Sequence, residues 1–279
     1  MAYKTILTVV TDPELIDSTL SHAVSMAAGL DAHLDVLCFG VDRTQTGYYY
    51  AGANAIVLQE TLTRATGEAK EMAVRAKALL KGADCRWAVD EGVAQLADIG
   101  RHVAGRARFC DLAILPKPYG KDRGVELEPV IEGALFEGQV PVLVVPDSVE
   151  PKASPERIVL GWNESNEALR AVRAAMPMLI AADTVHVVVI DPPKHGPNRS
   201  DPGGQLSQFL ARHGVRPEID VLSKTMPRVS DILMRHVMDV NADMIVMGAY
   251  GHSRFREAIL GGATRNMLEQ AEVSVFMAH

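Results

Sequence analysis

The residues best suited to chemistry lie in one stretch, Ala242 to Thr264, reading A-D-M-I-V-M-G-A-Y-G-H-S-R-F-R-E-A-I-L-G-G-A-T. Asp243 to Met247 is a short, mostly apolar run of strand length. Gly248 and Gly251 follow at once. After nine intervening residues come Gly261 and Gly262, opening a segment of helical composition, Ala263 to Ala271. A strand that runs through glycines into a helix N-terminus can hold phosphate. Glycine lets the backbone approach oxygen atoms closely, and the first helical N–H groups aim donors and a positive dipole end at them. A lone Gly-x-x-Gly after a strand more often only turns the chain; the full spacing is less common.

Gly-x2-Gly-x9-Gly, preceded by Asp-x-Ile-Val-Met, resembles the motif of the universal stress protein family, whose ATP-binding members carry Gly-x2-Gly-x9-Gly-Ser/Thr. The resemblance implies an adenine nucleotide alpha hydrolase-like fold and ATP, with or without Mg2+, as the cofactor. It implies that Met247 and Gly248 lead into the site and that backbone N–H groups around Gly251, His252, Gly261, Gly262 and Ala263 face the phosphates. Family members have an Asp near the end of the first strand and a Val-Ile-Asp-like segment after the second, both near the adenine. Here those positions hold Asn163 and Val189-Ile190-Asp191. Asn163 can still hydrogen-bond a base edge or ribose, without a charge.

The departure from the family pattern is at residue 262, a glycine where the family has a hydroxyl, with Thr264 two places on as a substitute donor. A hydroxyl bond to a charged phosphate oxygen is worth about 1.5–3 kcal/mol, so its loss weakens nucleotide binding roughly tenfold or more. Trp162 either stacks on a purine or fills the base pocket. Arg254 either contacts phosphate or lies on a solvated loop face.

Efficient phosphoryl or adenylyl transfer needs metal-holding carboxylates and a catalytic acid, base or clamp near the phosphates. The glycine stretch offers Glu257 and no lysine, and the chain has no Gly-x4-Gly-Lys-Ser/Thr, Gly-x-Ser-x-Gly or His-Glu-x-x-His. The expectation is a nucleotide-binding regulatory stress protein that is not an enzyme beyond slow ATP hydrolysis. The alternative is a scaffold or small-ligand binder whose phosphate loop is a relic.

Composition sets the surroundings. The 279 residues fit two domains; apolar residues make up 48% and charged residues 23%, as in ordinary globular proteins. Net charge is −7 with no basic cluster, which argues against nucleic acid as a partner. Cys38, Cys85 and Cys110 show no metal or disulfide spacing and suit core packing in a reducing compartment. Met1 to Thr11 reads as a first strand rather than a signal peptide, and no stretch has the length of a membrane span, so a cytoplasmic location is expected.

The elements that must position the glycine stretch repeat. Tyr3–Val10 and Arg157–Trp162 read as matching first strands, and Asp111–Leu115 (D-L-A-I-L) matches Asp243–Met247. The sequence predicts helices over 60–80, 93–103 and 167–179, with Leu79 on the inner face of the first. It predicts strands over 32–40, 85–89, 140–145, 184–190, 218–222 and 273–277. His186, within one of these, is expected to be a side chain on a sheet face rather than a metal ligand. Both halves read β-α-β-α-β-α-β-α-β, so the fold class is α/β, two tandem doubly wound Rossmann-like domains, each with a five-stranded parallel sheet. The expected domains are 1–147 and 156–279, joined by the proline-rich Asp147–Pro155.

The first half carries Pro116-Lys117-Pro118-Tyr119-Gly120 where the second has its glycines. Proline donates no backbone hydrogen bond, so this loop is degenerate as a phosphate cradle. Tyr48, Tyr49 and Tyr50 form either a ligand or interface contact or a simple loop cover. The family's edge-to-edge association suggests an intramolecular pseudo-dimer, Val142–Val145 pairing with Val273–Phe276, with a homodimer also open.

Overall fold

The computed structural model describes residues 2–43, 54–192, 201–249 and 262–279. The chain divides into two compact units, residues 3–140 and 141–279. Tyr48–Tyr50 lie outside the described residues.

The first unit starts with β1 (Thr5–Val10), buried from its second residue on. Asp12 stops it, its side chain accepting Glu14 N–H at 2.9 Å ahead of a short 3-10 turn, Pro13–Leu15. The turn feeds α1 (Ile16–Leu30), whose stripe of Ile16, Leu20, Ala23 and Ala27 is buried as its spacing requires. The helix closes on Asp31 in the left-handed region, φ 49°. The unit continues with β2 (His33–Asp42), α2 (Asn54–Leu80), β3 (Arg86–Gln95), α3 (Ile99–Ala107), β4 (Leu112–Pro116) and α4 (Leu127–Glu132), which runs into a π-helical turn, Gly133–Glu137. Its strands lie in the order β3-β2-β1-β4, all parallel.

Two local expectations fail here. Val93 and Ala94 belong to β3 rather than to a helix, because β2 runs to Asp42 and offers β3 ten consecutive partners. Leu79 is exposed while Leu80 is fully buried. On β2, a side chain at Gly40 would collide with the Ala65 backbone, so glycine lets α2 sit close on the sheet.

The second unit takes β5 (Val142–Val145) from the first half of the chain. It continues with β6 (Arg157–Gly161), α5 (Asn166–Ala174), α6 (Met176–Ala181), β7 (Thr184–Ile190), α7 (Gly204–Arg212), β8 (Pro217–Leu222), α8 (Val229–Asp239), β9 (Met244–Gly248), α9 (Ala263–Gln270) and β10 (Ser274–Ala278). The predicted helix 167–179 is two helices, because Pro177 lacks the N–H to continue α5 and instead sits in the first turn of α6.

The parallel strands run β10-β9-β6-β7-β8. Antiparallel β5 lies along β10, with Val144 opposite Val275, Leu143 opposite Phe276 and Val142 opposite Met277. The molecule is thus α/β with mostly parallel strands. β5 covers the edge of β10. All four β5 residues are buried, and Phe276 is fully so.

One device recurs at the entrance to both units. Asp111 Oδ2 accepts the backbone N–H groups of Lys4 and Thr5 at 2.7 and 2.9 Å. Asp243 accepts those of Glu156 and Arg157 at 3.1 Å, and also pairs with Lys152 Nζ at 2.8 Å. The Asp that precedes each of these strands, β4 and β9, therefore anchors the start of the neighbouring strand.

Candidate functional site

In the second unit the chain leaves β6, builds outward to β7 and β8, then returns to β9 on the other side of β6. The carboxyl ends of β6 and β9 are thus a topological switch point, where open parallel sheets bind ligands. Gly161 ends one strand and Gly248 the other.

Successive strand residues face opposite sides of a sheet. A Cβ at Gly161 would meet Leu233 of α8 at 3.6 Å and Met247 Cβ at 3.9 Å, so Met247, 8% exposed, faces α8. Gly248 faces α5. A Cβ there would stand 2.5 Å from Ala168 N and 2.6 Å from the Glu167 carbonyl carbon. Gly248 is therefore required by the approach of a helix. Beyond it Ala249 is fully buried, its N–H donating to Ala278 O at 2.9 Å and its carbonyl accepting from His279 Nδ1 at 3.0 Å.

Asn163 is exposed, and its Oδ1 accepts the Ser165 N–H at 3.1 Å. Ser165 in turn caps α5 through the Ala168 N–H at 3.1 Å. Asn163 thus shapes the turn into α5, with Glu164 beside it at φ 62°. Trp162, Ser165, Leu169, Gly203, Leu206 and Phe209 contribute to the wall of a cavity of about 400 Å³ between α5 and α7. Val189 is buried within contact range of Gly203. Asp191, at φ 47°, accepts the Lys224 N–H at 3.3 Å.

Gly262 is the N-cap of α9, at φ −59° and ψ 160°, a backbone any residue adopts. Ala263 opens the helix, and the Asn266 N–H makes its first bond, to Gly262 O at 3.0 Å. Thr264 is buried, on the same side as Met267 and Leu268. The structure thus brings Asn163, Met247 and Gly248 to the strand ends, Val189 against Gly203, and Gly262, Ala263 and Thr264 to the start of α9. Gly251, His252, Arg254, Glu257 and Gly261 lie outside the described residues.

The equivalent region of the first unit is filled from within. Pro116 and Pro118 are buried, and the Tyr119 hydroxyl donates to Glu128 Oε1 at 2.6 Å. Glu126 is fully buried and receives the Arg43 guanidinium at Oε1, while its Oε2 is buried without a hydrogen-bond partner. This hydrogen bond holds Arg43 above its ordinary pKa.

Residue reasoning did not find a cluster on the α8 face, where His186, Asp220 and His236 converge. The available signal was the parallel register that sets His186 beside Glu218 and places Asp220 two residues further on. Cys38 is buried, with Cys85 and Cys110 half-buried; none is bonded to another.

A parallel sheet with a switch point between β6 and β9 defines the class of doubly wound α/β folds. Residues 155–279 match the model of the Universal stress protein family. Universal stress protein Slr1230 of Synechocystis sp. is 26% identical over 97 residues, spanning 35% of this chain and 33% of that relative's length. A universal stress protein from Archaeoglobus fulgidus DSM 4304 has a TM-score of 0.71 at 16% identity, covering 98% of this chain and 95% of that one. A putative universal stress protein from Pseudomonas aeruginosa UCBPP-PA14 has a TM-score of 0.56 at 16% identity, covering 99% and 93%. At these identities the structural likeness concerns the fold. It is residues 155–279, the second half of the chain, that are similar to the universal stress protein family.

Proposed function

We propose that the chain is an adenine-nucleotide-binding regulatory protein of the stress response. ATP, with or without Mg2+, is held in the C-terminal domain, 156–279, while the N-terminal domain, 1–147, carries a degenerate site. The observation that carries this reading is the switch point between β6 and β9, with α9 opening at Gly262 at the far end of the glycine spacing. The first N–H groups of a helix have no intrahelical acceptors and suit phosphate.

In this reading Gly251, His252, Gly261, Gly262 and Ala263 face the phosphates, Thr264 supplies the hydroxyl, and Asn163 and Val189 flank the adenine. The protein acts by binding, hydrolysing ATP slowly if at all, in the cytoplasm and without nucleic acid as a partner. Among the described residues no helix is long and apolar enough to cross a membrane. We further propose that the two domains pair as an intramolecular pseudo-dimer, which the β5–β10 ladder supports; a homodimer is the further assembly.

A second reading, a scaffold or small-ligand binder with a relic loop, draws on two observations. Asn163 is engaged in its own turn, and Gly248 is explained by helix packing. Mass analysis of the small molecule released from the native protein separates the two. An adenine nucleotide near one equivalent supports the first reading. An unrelated compound, or none together with no ATP retained in equilibrium dialysis, supports the second.

A further inference from the structure

His186 is the third residue of β7 and lies in register with Glu218; Asp220, two residues on along β8, lies opposite Val188. The period of two puts His186, Glu218 and Asp220 on one face of the sheet. That face is covered by α8, which supplies His236. Asp220 Oδ2 lies 2.9 Å from His186 Nδ1 and 2.8 Å from His236 Nε2. The two rings stand edge to face, centroids 5.9 Å apart. Side-chain exposures are 11% for His186, 12% for His236 and 28% for Asp220. Glu218 Oε2 lies 3.8 Å from His186 Nδ1.

Two ring nitrogens aimed at one carboxylate oxygen converge on a small volume, and one donor atom from each of the three residues lies within 4.8 Å of the others. Ligands about 2.0–2.2 Å from a tetrahedral zinc stand roughly 3.3–3.6 Å from one another. Spreading the present contacts by under about 1 Å therefore admits an ion between them. Three elements supply the ligands, and their burial has already removed most of the water. Two imidazoles and a carboxylate suit zinc among the common divalent ions.

We infer that His186, Asp220 and His236 form a zinc site, with Glu218 or water as the fourth ligand. The site stands apart from the proposed nucleotide region, because His186 precedes the end of β7 at Ile190 by four residues, about 13 Å of strand. Its consequence is mechanical: one ion ties β8, paired to β7 along one side, to β7 and to α8. The competing explanation is a plain hydrogen-bonded trio, in which Asp220 only orients two neutral rings.

The test uses the intact chain, stripped with chelator and freed of nucleotide, and titrated with zinc chloride alone. The expected result is one zinc per chain, bound at micromolar concentration or tighter, with a higher thermal midpoint. Asp220→Asn keeps the size and one acceptor oxygen, and is expected to weaken zinc binding at least about a hundredfold, as expected for loss of a direct ligand. His236→Gln is expected to do the same. Cobalt(II) on the wild type is expected to give the intense visible absorption of a tetrahedral site, which hydrogen bonding alone does not produce. Zinc affinity unchanged in both variants, or no zinc bound by the wild type, overturns the inference. Should either variant fail to fold, the wild-type cobalt spectrum decides: octahedral, weak absorption overturns it.

Discussion

Gly248 ends β9 against Glu167, so closely that a Cβ at 248 would stand 2.6 Å from the Glu167 carbonyl carbon and 2.8 Å from its Cβ. The obstacle is largely backbone, which cannot swing aside as a side-chain tip can. Gly248→Ala is therefore expected to lower stability by about 1–3 kcal/mol, read as a lower urea midpoint with unchanged slope. A wild-type midpoint would mean that α5 is not seated on the end of β9.

Asp243 anchors the entrance to β6 through the N–H groups of Glu156 and Arg157, and its side chain is 20% exposed. Asp243→Ala leaves those donors without their charged acceptor, at about 2–3 kcal/mol. Asp111→Ala removes the matching anchor from Lys4 and Thr5. Asp111 is exposed, so water replaces the lost acceptor more readily and the expected cost is smaller. Denaturant unfolding of both variants checks the order; equal losses would contradict the burial argument.

Arg43 and Glu126 stand in a different relation, a half-exposed cation on a fully buried carboxylate. Removing one partner of such a pair strands the other charge, at about 3 kcal/mol. Arg43→Met is expected to lose about this much, and Arg43→Met combined with Glu126→Gln to recover most of it. Thermal unfolding of the single and double variants measures the recovery. A double variant no better than the single one would show that Glu126 does not depend on Arg43.

Cys38 and Cys110 have their thiols pushed up to about 12, in both cases first by burial, then by carboxylates (Glu91 for Cys38, Asp35 and Asp111 for Cys110). In the native protein at pH 8 both are expected to resist thiol reagents that label the unfolded chain. The sign for stability follows from proton uptake. Between the ordinary thiol value near 9 and the folded value near 12 the native state binds more protons. Stability is then full below about pH 9 and falls as pH rises toward 12. Urea midpoints from pH 8 to 11 are expected to drop less steeply in Cys38→Ala, and an unchanged slope would contradict this.

The alternation of short apolar strands with amphipathic helices was legible because each is a local pattern, as in the buried stripe Ile16, Leu20, Ala23 and Ala27. What was not legible depended on pairing between distant segments. Val93 has helical neighbours in sequence, yet its backbone pairs with Gly40 because β2 extends that far. The glycine spacing located the switch point, but not that Gly248 serves α5 or that Asn163 turns back to Ser165. His186, Asp220 and His236 are 16 to 50 residues apart and meet only through the β7–β8 register and the docking of α8.

The central claim is that the C-terminal domain still binds ATP, weakened by the missing hydroxyl at 262. Gly262 has φ −59° and ψ 160°, ordinary for serine, which is also a favoured helix N-cap. Calorimetric titration of the intact chain and of Gly262→Ser with ATP and magnesium is the direct measurement. The account predicts one ATP per chain in both, bound roughly tenfold more tightly by the serine variant. Absence of binding in both proteins, with each fully folded, would contradict it.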